Sequence, residues 1–276
     1  MNIDLVLVLG HNGLLGRMVT KVLEKDFLVA TTDHRYPSND FTEFVKDIGA
    51  KYIINCIGKV PQKQPTHQEF IDINVGLPLF LASNFPESTI INPGTDCMYS
   101  GKSFTKKVGE TPFDPPDMYG MSKMLAFNGL VKYPNTFQIV GSIIGPDVGD
   151  KSLLGWIEHT QESTIDGYLN HYWNGVTTLE WAMTCAEFIK KPIEYRKTWG
   201  SYMTISGQLV SKYDIVSTWK DVLEKDIAVN AIMTEQPVHR ILEGDSFVST
   251  RPLKSRLEDA RKYYINEDPN IINFYY

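Results

Sequence analysis

The chain has 276 residues, 42% of them hydrophobic, and a formal net charge of −6 with a pI near 5.6. That balance argues against general nucleic-acid or anionic-membrane binding, so an anionic ligand must be met by local basic residues. The length suits one large or two small domains with a real core. Three cysteines, Cys56, Cys97 and Cys185, show neither metal spacing nor an even framework. They point to a reducing compartment and no metal site. The histidines show no metal-ligand pattern either. No apolar run approaches the roughly eighteen residues of a membrane span. The first strand starts within two residues of Met1, which leaves no room for a signal peptide and makes the expectation cytoplasmic.

Ile3 to Leu9 is a near-continuous apolar run of strand length that leads into Gly10-His11-Asn12-Gly13-Leu14-Leu15-Gly16. Leu15, Met18, Val19, Val22 and Leu23 then recur at helical spacing. Strand, glycine turn and helix together form the context in which a glycine fingerprint means dinucleotide binding. Gly10 permits the tight turn, Gly13 lets backbone approach a pyrophosphate, and Gly16 lets the helix pack close to the sheet. The N–H groups around Asn12, Leu14 and Leu15 would then face phosphate. A second strand, Phe27 to Thr32, ends at Asp33, where a carboxylate binds ribose hydroxyls and favours NAD. Arg35, two residues on, suits a 2′-phosphate instead, so the cofactor is NADP or NAD.

A third apolar run spans Tyr52 to Gly58, and a helix is expected from about Thr66 to Ser83, interrupted by Gly76 and Pro78. A strand at Thr89 to Asn92 precedes a long polar loop from Gly101 to Pro116, of a length that usually shapes a site. A helix follows from about Tyr119 to Tyr133, then a strand at Phe137 to Val140. Alternating strands and helices predict an α/β fold with a doubly wound parallel Rossmann sheet. Beyond Gly145-Pro146 the pattern loosens into a small C-terminal substrate-binding lobe. The expected division is 1–145 and 146–276, partly interleaved around 168–190. Thr178 to Lys190 reads as a helix, and Ser211 with Asp214 as the start of another. Lys102, Lys106 and Lys107 read as a solvated basic face, with an alternative role against a diphosphate.

Tyr119 and Lys123 stand four apart at a helix start and so share a face. They follow a hydroxyl-bearing strand end, Gly94-Thr95-Asp96. Hydride addition to a ketone leaves an alkoxide that needs a proton, which tyrosine supplies if its pKa falls towards neutrality. A lysine cation favours the phenolate, and a threonine hydroxyl holds the carbonyl oxygen. Taken singly, Thr95 also suits a turn, Tyr119 a packing aromatic and Lys123 a surface charge.

The Gly10–Gly16 spacing and the Thr95, Tyr119, Lys123 order resemble the extended short-chain dehydrogenase/reductase superfamily. More narrowly, Gly94 to Gly101 resembles the S-T-D-Y-V-F-D-G stretch of dTDP-4-dehydrorhamnose reductases. Glu110, Pro115 and Tyr119-Gly120-Met121-Ser122-Lys123 are similar to that family's E…P…Y-G-x-S-K. Arg251-Pro252-Leu253-Lys254-Ser255-Arg256-Leu257 is similar to its R-P-x-x-S-x-L, and Trp173 to Thr178 is a weaker match to G-x-P-T. The resemblance implies NAD(P)H reduction of the 4-keto group of a nucleotide-linked 6-deoxy sugar. It implies Thr95, Tyr119 and Lys123 as catalytic residues, and substrate contacts from Thr95, Asp96, Cys97, Lys151 and Arg251. It places Ile57 and Gly58 beneath the adenosine ribose, with Asn74 packing a helix there. Superfamily relatives often form homodimers, though no residue here marks an interface.

Two departures matter. Val140 and Gly141 precede Ser142 where the family usually has Arg-Thr. Cys97 replaces the usual tyrosine, and Thr-x-Cys resembles the bifunctional 3,5-epimerase/4-reductases of GDP-fucose and UDP-rhamnose synthesis. There the cysteine is a base, and Lys151 is the nearest candidate for its partner acid. A free cysteine is also commonly a small buried apolar residue. A non-catalytic nucleotide-binding regulatory subunit is a third reading.

Overall fold

The computed structural model describes residues 4–247 and 250–266. Its central sheet is built from β1 (Leu5–Leu9), β2 (Leu28–Thr31), β3 (Tyr52–Asn55), β4 (Thr89–Gly94), β5 (Thr136–Val140), β6 (Tyr202–Ser206) and β7 (Ser246–Phe247). The spatial order is β7-β6-β5-β4-β3-β1-β2, and every neighbouring pair is parallel. Because strand side chains alternate, Val6 and Val8 of β1 enter one core while Leu7 and Leu9 enter the other. That explains the near-continuous apolar run: both faces of the sheet are covered by helices. On one face lie α1 (Leu14–Leu23) and the later helix Thr178–Lys190, with Met18, Val22, Trp181 and Phe188 among the buried side chains. On the other lies α2 (Asn39–Ile48), capped by Ser38 and supplying Phe41 and Val45.

The expected break at Gly76 and Pro78 does not occur. His67–Glu69, Phe70–Gly76 and Leu77–Asn84 run on as one helix, α3, whose middle segment is π-helical. Pro78 follows directly on the π-helical turn, whose wider hydrogen-bond spacing accommodates a residue without an N–H inside the helix. The next helix, α4 (Met118–Leu130), is capped by Asp117, which accepts from the Gly120 N–H at 2.8 Å.

The remaining helices are α5 (Leu153–His159), α6 (Thr178–Lys190), α7 (Pro192–Trp199), α8 (Lys212–Val222) and α9 (Leu253–Tyr264). Ser211 and Asp214 close a capping box on α8 as expected. The lobe packs Leu154, Ile157, Trp173, Ile215, Trp219 and Leu257 into a separate core. Strand Thr164–Tyr168 pairs with Ala228–Ile232, and His171–Trp173 pairs with both Val210–Ser211 and Val238–Arg240. The chain returns to the central sheet through α6, β6 and β7, so sheet and lobe interleave. A buried pair ties them together. Arg256 of α9 donates from Nε and Nη2 to the two oxygens of Glu180 on α6 at 2.6 and 2.7 Å, and Nη2 also reaches the Gly175 carbonyl. No described helix is long and apolar enough to cross a membrane.

Candidate active site

The sheet order reverses beside β1, and ligands of such sheets bind at the strand ends next to that reversal. Gly10 has φ +78°, a left-handed conformation that glycine adopts freely. A Cβ on Gly16 would lie 2.1 Å from the Gly10 carbonyl oxygen, so only glycine lets α1 start this close to β1. Gly13 is the N-cap of α1 and offers no side-chain partner, leaving the first-turn N–H groups open, while a Cβ there would meet only the Gly10 carbonyl at 3.3 Å. This cradle fits a dinucleotide pyrophosphate.

Asp33 is brought to the rim of the cradle. Its side chain is 88% exposed, accepts from Asn12 Nδ2 at 3.2 Å, and lies 3.7 Å from His11 Nε2. Arg35 is exposed. Ile57 and Gly58 follow β3 on the same edge. Gly58 lies beside Asn74, whose amide is buried, accepts from the Lys59 N–H at 2.8 Å, and donates to the Lys59 carbonyl and the Ser122 hydroxyl at 3.0 Å. Asn74 thus fastens the π-helical segment to both the cradle edge and α4.

Thr95, Cys97, Tyr119 and Lys123 come together. Thr95 Oγ accepts from the Cys97 N–H at 3.2 Å, donates to Asp96 Oδ1 at 3.3 Å, and lies beside the Tyr119 phenol. Burial, then the neighbouring Cys97 and Asp96, push the Tyr119 phenol well above its ordinary pKa. Phe70 from the π-helical segment tilts against the Tyr119 ring at 6.2 Å. Lys123 donates to the Pro93 carbonyl at 2.7 Å, and burial lowers its pKa to about 8. Burial, then Asp96, raises the Cys97 thiol to about 12. The site therefore holds a protonated phenol and thiol next to a lysine that is largely cationic at neutral pH.

Asp96 is buried and faces Arg240, with Nε to Oδ2 at 3.7 Å. Two residues named from the resemblance have charged neighbours of their own. Lys151 is exposed beside Asp150 at 3.4 Å, and no hydrogen bond or ion pair joins it to Cys97 or Tyr119 among the described residues. Arg251 pairs with Asp259 of α9. Lys106 corrects the expectation of a solvated basic face. It is 2% exposed and donates to the carbonyls of Ser103 and His239, strapping the 101–106 loop to the lobe. Arg240's links carried no motif signal, because they run to Asp96 and Tyr99, distant in sequence, whereas Asn74 was reached through the family resemblance.

A glycine cradle at the sheet reversal beside a Thr-Tyr-Lys cluster defines a nicotinamide-dinucleotide-binding Rossmann protein of oxidoreductase type. The NAD dependent epimerase/dehydratase family model matches residues 6–147, and the chain belongs to that family. No curated protein matches it. Its fold is similar to that of a dTDP-4-dehydrorhamnose reductase from Clostridium acetobutylicum, with a TM-score of 0.75 at 19% identity over 94% of this chain and 98% of that one. It is also similar to the Bacillus anthracis dTDP-4-dehydrorhamnose reductase in complex with NADP, with TM-score 0.78, 14% identity and coverage of 94% and 99%. A third likeness is to a mutant UDP-glucuronic acid 4-epimerase from Bacillus cereus in complex with UDP-4-deoxy-4-fluoro-glucuronic acid and NAD, with TM-score 0.71, 14% identity and coverage of 96% and 100%.

Proposed function

We propose that this chain reduces the 4-keto group of a nucleotide-linked 4-keto-6-deoxyhexose with NADH or NADPH. The observation that carries the reading is the convergence of Thr95, Tyr119 and Lys123 beside the glycine cradle. The bound nicotinamide supplies the hydride. Gly10, Gly13 and Gly16 hold the pyrophosphate against the start of α1, and Asp33 receives the adenosine ribose. Thr95 donates to the ketone oxygen and concentrates charge stabilisation where the alkoxide develops. Burial keeps Tyr119 protonated, the reverse of the fall towards neutrality expected from the sequence. In the site without cofactor it is thus a proton donor held in reserve, and it gives that oxygen its proton. Lys123, fixed by the Pro93 carbonyl, orients the nicotinamide ribose and stabilises the phenolate left behind.

Cys97 lies against Tyr119 and supports a second reading, a bifunctional 3,5-epimerase/4-reductase. Its thiol, at about 12, is a poor base at neutral pH in the unliganded site, which favours the simple reductase. The test follows NADPH and NADH oxidation with dTDP- and UDP-4-keto-6-deoxyglucose, with and without a separate 3,5-epimerase. Oxidation that requires the added epimerase supports a dedicated 4-reductase. Oxidation without it supports the second reading or a reductase that accepts the unepimerised ketone. No oxidation under either condition counts against both.

A further inference from the structure

An arginine from the lobe spans the turn that carries Thr95 and Cys97. Asp96–Met98 is a short 3-10 turn that closes on Tyr99, whose N–H donates to the Asp96 carbonyl at 3.0 Å. Arg240 reaches both ends of it. Its Nη1 donates to the Tyr99 carbonyl at 2.9 Å, and its Nε lies 3.7 Å from Asp96 Oδ2. Arg240 ends strand Val238–Arg240, and that strand is fastened to the 101–106 loop. The His239 N–H donates to the Gly101 carbonyl at 2.8 Å, and Lys106 donates to the His239 carbonyl.

Asp96 is both a brace and a hazard. Its Oδ1 accepts from the Thr95 hydroxyl at 3.3 Å, which fixes that hydroxyl beside Tyr119. A buried carboxylate there also opposes the negative charge that a ketone develops on reduction, because like charges repel strongly where water is excluded. A guanidinium on the far oxygen offsets that charge and leaves Oδ1 to Thr95.

We propose that Arg240 is a positioning residue for the reduction. From the lobe it neutralises Asp96 and pins both ends of the Asp96–Tyr99 turn, so that Thr95 is held for the ketone with no bare negative charge beside it. When the ketone binds, the Thr95 hydroxyl turns its proton from Asp96 to the ketone oxygen, and Arg240 holds the carboxylate that has lost its donor. This rests on the reductase reading and makes the lobe part of the reactive centre.

The test compares kcat and KM for the keto-sugar, the isotope effect with 4-deuterated NADH or NADPH, and dinucleotide affinity. The proteins are the wild type, Arg240→Met, Asp96→Asn and the double variant. Arg240→Met should bind the dinucleotide as the wild type does and lose kcat by roughly 10- to 100-fold, with a larger isotope effect. Arg240→Lys should recover part of that loss. Asp96→Asn keeps an acceptor for Thr95 and removes the charge, so the double variant should be no slower than Asp96→Asn alone. A purely structural arginine predicts the opposite, because its Tyr99 contact is lost in both backgrounds. If Arg240→Met does not bind the dinucleotide, Arg240→Gln replaces it under the same expectations. Unchanged kcat in Arg240→Met, or an equal loss in both backgrounds, overturns the role of Arg240 and leaves the reductase reading standing. A wild type that binds the dinucleotide and reduces no 4-keto nucleotide sugar overturns both.

Discussion

Gly120 rests on the Cys97 carbonyl: a Cβ at Gly120 would lie 2.1 Å from that oxygen and 3.0 Å from Pro115 Cβ. Both neighbours belong to segments that frame the catalytic cluster, and the contact seats the start of α4 so that Tyr119 meets Thr95. Gly120→Ala must push α4 away. A displacement of about 1 Å at a reacting group costs on the order of 100-fold in rate. Overpacking of this kind costs roughly 1–3 kcal/mol of stability. Steady-state turnover compared with a denaturant midpoint should show activity lost well beyond stability.

Lys123 gives the pH dependence its direction. Burial lowers its pKa to about 8, so the cation prevails below that value and is lost above it. Tyr119 is held protonated far beyond this range and contributes no limb there. Turnover in the reductive direction should fall as pH rises through about 8. Lys123→Met should abolish this limb and lower kcat at every pH. A wild-type profile that stays flat or keeps rising well above that pKa would contradict the role of Lys123.

Cys97 should be dispensable for hydride transfer. Its thiol is pushed to about 12, and the Thr95 hydroxyl accepts from the Cys97 backbone N–H, which any residue supplies. Cys97→Ala should reduce a pre-epimerised ketone within several-fold of wild type. Loss of solvent-deuterium incorporation at C3 and C5 in that variant, with reduction intact, would assign an epimerase role to the thiol.

The Arg256–Glu180 pair should dominate the stability of the lobe–sheet junction. Both side chains have 0% relative exposure and the contact is bidentate. Removing one partner from a buried pair costs about 3–5 kcal/mol, because the other charge is stranded. Glu180→Gln and Arg256→Leu should each show a loss of that order in urea melts, and the double variant should lose less than the sum.

The glycine cradle was legible in the sequence because all its parts are local: Gly10, Gly13 and Gly16 act on each other and on adjoining backbone. The Tyr119–Lys123 spacing was legible for the same reason, being one helical turn. Glu180 was not, since its partner is 76 positions away and its local side-chain link is the capping box it closes with Thr177. Lys106 misled because a lysine in a polar loop looks solvated, whereas its ammonium is satisfied by carbonyls that only the folded lobe supplies. Gly76 and Pro78 read as helix breakers because propensity is a local quantity, and the π-helical turn absorbs both without ending the helix.

The most direct measurement follows the hydride itself. Wild-type protein and Tyr119→Phe are incubated with 4-deuterated NADH or NADPH and the 4-keto-6-deoxy nucleotide sugar, and the product is analysed by mass spectrometry and NMR. Wild-type product should carry one deuterium at hexose C4. Tyr119→Phe should form little product while binding the dinucleotide as tightly as wild type. Reduced sugar without deuterium at C4, or full turnover by Tyr119→Phe, would contradict a tyrosine-assisted nicotinamide reductase.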